Sequence, residues 1–350
     1  MDIKSKRIAI LAPVAWRTPP RAYGAWETVA SNITEGLVAR GWKDITLFAT
    51  KDSVTKAKLH AVIEKGYEED PTADRKVWEI LQISEAMEMA GEFDLIHSNY
   101  DFIPLAFSRL INTPMLTTIH GFSSDSIRPV YRKYKDTYYV SISDSDRDPE
   151  LPYLATVYNG IDLSNLTVGS KRGDKLVFLG RIHSDKGTHL ACEAAKKAGM
   201  DLIIAGIIQD EDYFNNLVKP HIDDKSIKFI GPVNPVQRDA LFKEAYAVLH
   251  LNELPERFGL VMAEANGAGV PVIAYDRGSC REVIVDGKTG FLVNTVAEAA
   301  EAVGKIEQIE PAVCRKHVEE NFSIDCMAAG YEKVYAEIFR REEAKKNGRC

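Results

Sequence analysis

Two cations in the second half of the chain have the types and the spacing of a phosphate-binding pair. Arg181 and Lys186 follow the apolar run Lys175–Leu179, and a helix is predicted to begin near Gly187. Cations beside a helix N-terminus suit a diphosphate, because the free backbone amides there add to the positive charge. Taken alone, the segment fits a solvated turn with incidental charges equally well.

Two glutamates lie on either side of the next predicted helix start. Glu256 precedes the helix Phe258–Gly267, and Gly259 lets the backbone approach a ligand closely. The amides of Phe258–Leu260 then point out of a helix N-terminus, ready for an anion or for sugar hydroxyls. Glu264 follows two turns later and is able to accept both hydroxyls of a ribose. Its apolar neighbours make a solvent-facing carboxylate the weaker interpretation.

His120 and Gly24 mark a second candidate site in the first half of the chain. His120 follows the apolar run Met115–Ile119, so it lies at the carboxyl end of a predicted strand, where it can hydrogen-bond a substrate. Gly24 lies in the loop before the predicted helix Thr28–Arg40. The alternatives are a structural histidine and an ordinary helix cap.

The loop Trp16–Trp26 is rich in aromatic residues and arginine. Aromatic faces stack on sugar rings, and Arg17 or Arg21 is suited to hold a phosphate or a carboxylate. This composition favours a substrate site, with a packed surface loop stiffened by prolines as the alternative.

Composition and missing motifs exclude several classes of protein. The chain has 350 residues and a net charge of −7, so no broad basic surface for nucleic acid is expected. It has no GxGxxG after the first predicted strand, no P-loop and no GxSxG elbow, which disfavours a dehydrogenase and a serine hydrolase. Asp144-Ser145-Asp146 looks like a metal-binding pair, but its position after a strand favours a helix cap.

The sequence predicts neither export nor a membrane span. No apolar run approaches the roughly 18 residues of a membrane helix, and no signal pattern begins the chain. The scattered cysteines indicate free thiols in a reducing compartment. They are Cys192, Cys280, Cys314, Cys326 and Cys350. We therefore expect a cytoplasmic protein, with peripheral contact at the inner membrane face left open.

Short apolar runs alternate with helical stretches, and the alternation starts twice. The first series of runs is Arg7–Ala12, Ile45–Ala49, Phe93–His97, Met115–Ile119 and Tyr138–Ile142. The second is Lys175–Leu179, Asp201–Ala205, Ile227–Ile230, Ala247–Leu251 and Val270–Ala274. Such runs are typical of doubly wound parallel sheets. Two α/β layers with a cleft between them are therefore predicted, joined at the polar linker Leu163–Asp174.

In this order, the segments resemble the retaining glycosyltransferases of family 4, the group 1 enzymes with the GT-B fold. The most specific part is Arg181 and Lys186 followed by Glu256, Glu264 and Gly269–Val272. The resemblance covers nearly the whole chain. It implies two Rossmann-like doubly wound α/β domains that face each other across a cleft. Residues 1–165 would form the acceptor-side domain, onto which a helix at 324–341 packs back, and 166–323 the nucleotide-sugar-binding domain.

The resemblance also implies a role for each candidate residue. The catalytic residues would be His120, near the reacting carbon, and Glu256, on the hydroxyls of the donor sugar. The donor-binding residues would be Gly24, Arg181, Lys186, Val233, Phe258, Gly259, Leu260 and Glu264. Among these, Arg181 and Lys186 would hold the diphosphate, and Glu264 the ribose. Val233 would meet the base through its backbone.

The activity implied is transfer of a hexose from a nucleotide diphosphate sugar to a carbohydrate or glycolipid acceptor. Anomeric configuration would be retained by a front-face route, without a metal or other cofactor, because Arg, Lys and helix termini replace the cation. The segment Val233–Val236 lacks the acid that guanine favours, so UDP is expected rather than GDP. The alternatives are a GDP-mannose-dependent mannosyltransferase and a nucleotide-sugar 2-epimerase on the same fold. A non-enzymatic sugar-binding protein is a weaker alternative.

Overall fold

The computed structural model describes residues 3–100, 102–121 and 125–348. The strands are β1 (Arg7–Leu11), β2 (Asp44–Phe48), β3 (Lys58–His60), β4 (Leu95–Ser98), β5 (Met115–Ile119), β6 (Tyr138–Ser141), β7 (Tyr153–Thr156), β8 (Lys175–Leu179), β9 (Leu202–Ala205), β10 (Ile227–Phe229), β11 (Ala245–His250), β12 (Val272–Tyr275) and β13 (Gly290–Val293). The helices are α1 (Ala25–Ala39), α2 (Arg75–Glu88), α3 (Arg128–Lys133), α4 (Thr188–Ala198), α5 (Glu211–Tyr213), α6 (Pro235–Glu244), α7 (Leu260–Gly267), α8 (Cys280–Val283), α9 (Val296–Val303), α10 (Pro311–Asn321) and α11 (Ile324–Lys346).

These elements form two compact units, each with its own sheet. The first unit comprises residues 1–160 together with 324–350, and the second comprises 161–323. The chain therefore leaves the first unit after Gly160 and returns to it with α11. The predicted boundary at residues 165 and 166 lies slightly beyond this division.

The sheet of the first unit has the strand order β3-β2-β1-β4-β5-β6-β7, and its strands pair in parallel. The strands β1, β4, β5 and β6 are almost completely buried, as expected for parallel strands covered on both faces. The order reverses between β1 and β4. Loops that leave such a pair of strands diverge and open a crevice at their carboxyl ends.

The helix α11 completes the first unit. Tyr331, Tyr335 and Ile338 on this helix are fully buried. Tyr335 Oη lies 2.7 Å from His97 Nδ1 at the centre of the sheet. A Cβ at Gly36 of α1 would lie 2.7 Å from Ile324 Cγ2, so a larger residue there would push the two helices apart. The helix is thus part of the core of the first unit rather than a loose tail.

The sheet of the second unit has the order β10-β9-β8-β11-β12-β13, again with parallel pairing. Its core contains Leu176, Ile204, Leu249 and Ile273 from the strands, and Cys192 from α4. The order reverses between β8 and β11, which places a second crevice at the carboxyl ends of these strands.

Three strands were missed by the sequence prediction: β3, β7 and β13. Each is short and lies at an edge of its sheet. An edge strand is covered less completely than a central one, so its sequence lacks the continuous apolar run that identifies the central strands. The central strands of both sheets were predicted to within a few residues.

Cys192, Cys280, Cys314 and Cys326 are free thiols, and Cys350 lies outside the described residues. Within the described part of the chain, no helix combines the length and the apolar character needed to cross a membrane.

Candidate functional site

The second unit holds one candidate site at the carboxyl ends of β8 and β11. Arg181 and Lys186 follow β8, and Glu256 follows β11. Because the strand order reverses between these strands, the two loops border the same crevice. The fold therefore brings together residues that are far apart in the sequence.

Both cations of this site contact carboxylates. Arg181 Nη2 donates to Asp185 Oδ2 at 3.1 Å, and Arg181 Nη1 donates to Gln209. Lys186 Nζ donates to Glu256 Oε2 at 2.8 Å. An ammonium group has three donors, so Lys186 can contact a second anion without releasing Glu256.

Gly187 makes the turn between Lys186 and α4. Its φ is +61°, and a Cβ at this position would lie 2.1 Å from the carbonyl oxygen of Leu251. Glycine alone tolerates both the left-handed conformation and the close approach to the backbone of Leu251. Since Leu251 directly follows β11, this contact joins the loop of Lys186 to the loop that leads to Glu256.

Glu256 is the centre of a buried hydrogen-bond cluster, with 11% of its side chain exposed. Its Oε2 accepts from Lys186 Nζ at 2.8 Å, from His250 Nε2 at 3.1 Å and from Asn252 Nδ2 at 2.5 Å. Burial alone would raise its pKa, but the His250 hydrogen bond and the Lys186 charge outweigh burial and hold the pKa well below its ordinary value. Glu256 is thus a fixed carboxylate that accepts hydrogen bonds and does not transfer protons near neutral pH.

Glu264 lies on α7 and is even less accessible, with 8% of its side chain exposed. Arg238 Nη1 of α6 donates to its Oε1 at 2.7 Å. Burial raises the pKa of Glu264, and the charge of Arg238 opposes that rise. Arg238 Nε is itself buried without a hydrogen-bond partner among the described residues. The carboxylate of Glu264 and the unpaired Nε donor of Arg238 therefore lie close together.

The helix α7 begins one residue after Gly259, whose φ is +82°. This left-handed conformation favours glycine, whereas the 2.3 Å contact that a Cβ would make with Met262 Cε could be relieved by movement of that flexible side chain. Phe258 is buried, and its ring packs edge-on against Phe322 at a centroid distance of 5.7 Å. The amides of Leu260 and Val261, at the start of α7, have no acceptor one turn earlier within the helix, whereas the amide of Met262 donates to the carbonyl oxygen of Gly259 at 2.9 Å. The loop can present these amides to an oxygen-rich ligand.

Val233 lies on the approach to α6. The next residue, Asn234, caps that helix and forms a capping box with Gln237, with hydrogen bonds of 2.9 Å in both directions. Val233 is half-buried in an extended stretch. The cap fixes the backbone of Val233 beside the helix that carries Arg238.

The first unit holds the other candidate site, at the carboxyl ends of β1, β4 and β5. His120 follows β5, and its Nε2 lies 3.1 Å from Oδ1 of Asn99, which follows β4. The ring of Trp26 stacks on the ring of His120 at a centroid distance of 5.8 Å and an angle of 26°. Burial lowers the pKa of His120 to about 3. The ring is therefore neutral and donates from Nε2 to Asn99, so its Nδ1 is an acceptor.

Gly24 ends the long loop after β1 and caps α1 with a φ of +147°. A Cβ at this position would lie 2.8 Å from Pro20 Cβ and 3.1 Å from Glu27 Oε2. Glu27 is buried, and its Oε1 accepts from the backbone N of Trp16 at 3.2 Å. Gly24 and Glu27 together hold the loop against the first turn of α1.

Several residues of both sites were missed by the sequence analysis. They are Asn99, Arg238, His250 and Asn252, together with Glu27 in the loop of Gly24. His250 and Asn252 could have been found from the predicted end of their strand, since ligand-binding residues gather there. Arg238 lies inside a helix, and no sequence pattern links it to Glu264.

The motif Asp144-Ser145-Asp146 does not begin any described helix, so the predicted helix cap is wrong. Asp144 instead accepts a hydrogen bond from Thr156, across the connection between two strands. The nearby Asp148 is buried and accepts from Arg128 Nε at 2.8 Å. Within residues 3–100, 102–121 and 125–348, no group of three or more His, Cys, Asp or Glu could hold a metal ion.

Comparisons with known proteins show what the chain is similar to. A family model described as "Glycosyl transferases group 1" matches residues 168–323. A glycogen synthase of Mycobacterium tuberculosis is 24% identical, over 94% of this chain and 95% of that protein. A phosphatidyl-myo-inositol mannosyltransferase of Mycobacterium leprae is 26% identical, over 70% of this chain and 69% of that protein. The crystal structure of Anabaena Alr3699/HepE in complex with UDP and glucose is similar with a TM-score of 0.74 and 17% identity, over 95% of this chain and 99% of that one.

Proposed function

We propose that the chain is a group 1 glycosyltransferase that transfers a hexose from UDP-hexose to a carbohydrate or glycolipid acceptor with retention of anomeric configuration. The family model, the curated relatives and the two-domain fold of the similar structures support this proposal. The observation that carries the proposal is a set of two ion pairs in the second unit, Lys186 with Glu256 and Arg238 with Glu264. In each pair the carboxylate is largely buried and the cation is partly exposed. Removing a carboxylate from water is costly, so two such pairs near the strand reversal between β8 and β11 mark a candidate ligand site.

The diphosphate of the donor is proposed to contact Arg181 and Lys186. Both lie beside the N-terminus of α4, whose amides and dipole favour an anion. Gly24 is proposed to contact the donor phosphate through its backbone, as the family resemblance implies. With these cations and amides, the enzyme would need no metal ion and no other cofactor.

The nucleoside is proposed to contact Glu264 and Val233. Glu264 would accept hydrogen bonds from the ribose hydroxyls, and its ion pair with Arg238 favours the charged form against the burial that raises its pKa. The backbone of Val233 offers one donor and one acceptor, which matches the edge of uracil. The segment around it has no acid for the donors of guanine. The similar Anabaena structure contains UDP and glucose, which favours the same base here.

The donor sugar is proposed to contact Glu256, His120 and the amides of Phe258, Gly259 and Leu260. Glu256 would accept from sugar hydroxyls, and neutral His120 would accept at Nδ1 near the reacting carbon. In the transfer step, the bond from the sugar C1 to the diphosphate oxygen breaks, and a bond from C1 to the acceptor oxygen forms on the same face. The acceptor's proton passes to the leaving diphosphate. Glu256 takes no proton in this step.

GDP-mannose is the second candidate donor. The similar mannosyltransferase of Mycobacterium leprae supports it, although its likeness covers less of this chain than that of the glycogen synthase. We propose a cytoplasmic enzyme, with peripheral membrane contact for the case that the acceptor is a glycolipid.

Thermal unfolding with added nucleotides tests the donor proposal. We expect UDP, with a chelator present, to raise the melting temperature by several degrees at about 100 times its Kd, because it binds only the folded state. GDP, ADP and NAD should have smaller effects. A shift with GDP alone would replace UDP by the alternative donor. A shift with NAD alone would overturn the assignment of the site.

Glu264→Gln tests the ribose contact. We expect the affinity for UDP to fall about tenfold or more, because a charged acceptor to the ribose is lost. Isothermal titration would measure the Kd, with Glu301→Gln on the exposed face of α9 as the matched control. An unchanged Kd in Glu264→Gln would remove the ribose assignment.

A further inference from the structure

The loop after β1 and the start of α1 expose an aromatic surface, which consists of Trp16, Tyr23 and Trp26. Tyr23 is 36% exposed and Trp26 is 37% exposed, and within the described residues no other aromatic side chain is as accessible. The rings of Trp16 and Tyr23 meet edge to face at 6.2 Å. Large aromatic side chains normally bury most of their area, so an exposed group of them marks a binding surface.

One face of Trp26 is already used inside the first unit. It stacks on His120, which in turn is held by the hydrogen bond to Asn99. His120 cannot turn away without breaking that hydrogen bond and losing the stack. The exposed part of Trp26 is therefore fixed directly beside the ring that the proposed function assigns to the donor sugar.

The charges around this surface are unsuited to an anionic ligand. Arg21 donates to Glu69 Oε1 at 2.6 Å and to Asp52 Oδ2 at 2.8 Å, so two carboxylates already contact it. Arg17 Nε donates to the carbonyl oxygen of Pro19 at 2.9 Å, and the backbone N of Arg17 donates to Glu69. Burial raises the pKa of Glu27, under the loop, to about 7, so this carboxyl is only partly charged near neutral pH. The guanidinium of Arg21, which two carboxylates already contact, is unsuited to the phosphate or carboxylate contact that the sequence suggested.

We propose that Trp26 is the platform for the acceptor, and that the acceptor presents an uncharged sugar ring at this point. The C–H face of a pyranose would lie on the indole, next to His120, with one hydroxyl directed to the reacting carbon. The proposal rests on the proposed function and narrows its acceptor to a neutral glycoside. An inositol phosphate or another anionic polyol would be disfavoured by the acids of the loop.

Transfer assays on Trp26 variants test this proposal. UDP release from UDP-glucose, UDP-galactose and UDP-N-acetylglucosamine would be measured with neutral p-nitrophenyl glucosides, galactosides and mannosides. The anionic acceptors for comparison are glucose 6-phosphate and inositol 1-phosphate. We expect neutral glycosides to be the better acceptors. Trp26→Ala should raise the acceptor KM about tenfold, with Trp26→Phe in between, because ring area is lost in that order. The control Leu110→Ala removes an exposed apolar side chain elsewhere on the first unit and should leave the acceptor KM unchanged.

The Kd of UDP separates failure of this proposal from failure of the proposed function. If the wild-type protein binds UDP but Trp26→Ala keeps the wild-type acceptor KM, Trp26 is not the platform. A preference for the phosphorylated acceptors would likewise overturn the proposal that the acceptor presents an uncharged sugar ring. If Trp26→Ala weakens UDP binding as much as it raises the acceptor KM, the residue acts on the donor side through His120. If the wild-type protein binds no UDP, the proposed function itself is wrong, and the platform loses its basis.

Discussion

At the scale of single residues, two buried glutamates of one unit have opposite electrostatic environments. Lys186 and His250 outweigh burial at Glu256, so its pKa is lowered. Burial dominates at Glu264, so its pKa is raised despite Arg238. Glu256 therefore stays charged under all ordinary conditions, whereas the charge of Glu264 depends on one arginine. Two residues of the same type can thus fill different roles within one donor site.

Glu27 gives a clear expected pH dependence of the free energy of unfolding. Burial raises its pKa from 4.5 to about 7, and Glu68 and Glu69 add to the effect. A raised folded-state pKa means that the folded protein binds the proton more tightly than the unfolded chain. Protonated Glu27 therefore stabilises the folded state. This contribution is complete below pH 4.5 and is lost as the pH rises through about 7.

We expect Glu27→Gln to reduce this pH dependence. The shift corresponds to a free energy of unfolding on the order of 3 kcal/mol, so the variant should be more stable than the wild type at pH 8 and not at pH 4.5. Urea unfolding at both pH values measures the difference, and Glu64→Gln at the exposed surface serves as the control. A variant that follows the wild type at both pH values would mean that Glu27 does not titrate as its burial indicates.

The sequence indicated single candidate residues but not the contacts between them. Lys186, Glu256 and Glu264 were proposed from residue type, spacing and family resemblance, and their role in ligand binding stays a prediction. The contact between Lys186 and Glu256 was not predicted, because it forms only when β8 and β11 lie side by side. The partners Asn99 and Arg238 escaped for the same reason. Such pairs depend on tertiary structure, which local spacing does not report.

At the scale of elements, both candidate sites lie where the strand order reverses. The reversal occurs at β1 and β4 in the first unit and at β8 and β11 in the second. The predicted alternation of strands and helices was enough to expect ligands at carboxyl strand ends. It did not reveal which pair of strands forms each crevice, because strand order depends on the crossovers.

The turn before α4 gives a test at this scale. Gly187 and Gly199 both have a left-handed φ, of +61° and +67°. A Cβ at Gly187 would strike the backbone of Leu251, whereas a Cβ at Gly199 would meet nothing within 4 Å. We expect Gly199→Ala to cost roughly 1 kcal/mol from backbone strain alone, and Gly187→Ala at least about 3 kcal/mol because the backbone must also move.

Urea unfolding gives these two values, and titration with UDP gives the effect on the site. Only Gly187→Ala should lower the affinity for UDP, because this substitution displaces Lys186. Equal losses of stability in the two variants would show that the loop yields easily and that the close approach to Leu251 is unimportant.

At the scale of the whole molecule, the predicted two-domain GT-B fold is confirmed by the solved structures that share it. The predicted resemblance to group 1 glycosyltransferases is matched by the family model over residues 168–323 and by similarity to curated glycosyltransferases. The family model covers residues 168–323, which nearly coincide with the second unit, residues 161–323. The match therefore lies within the unit that is proposed to bind the donor nucleotide.

The return of α11 to the first unit gives a test at this scale. We expect a chain that stops before Ile324 to lose the cooperative unfolding of the first unit, because the buried Tyr331, Tyr335 and Ile338 are removed from its core. Amide hydrogen exchange would show lost protection in β1, β4 and β5, with protection in β8 and β11 retained. A chain that stops after Lys346 is the control. Full protection of β4 in the shorter chain would show that α11 only covers the surface.

In the sequence, the second unit lies between the two segments of the first unit. This arrangement sets the order in which the two units can complete their hydrophobic cores during translation. Residues 161–323 emerge from the ribosome as a contiguous segment with all of their strands present. The first unit must wait until residues 161–346 have been synthesised, which at about 5–20 residues per second takes roughly 9–37 s. Throughout that interval α11 cannot yet cover its surface of the first unit, which includes the ring of His97. The nascent first unit therefore exposes apolar surface for longer than the second unit does.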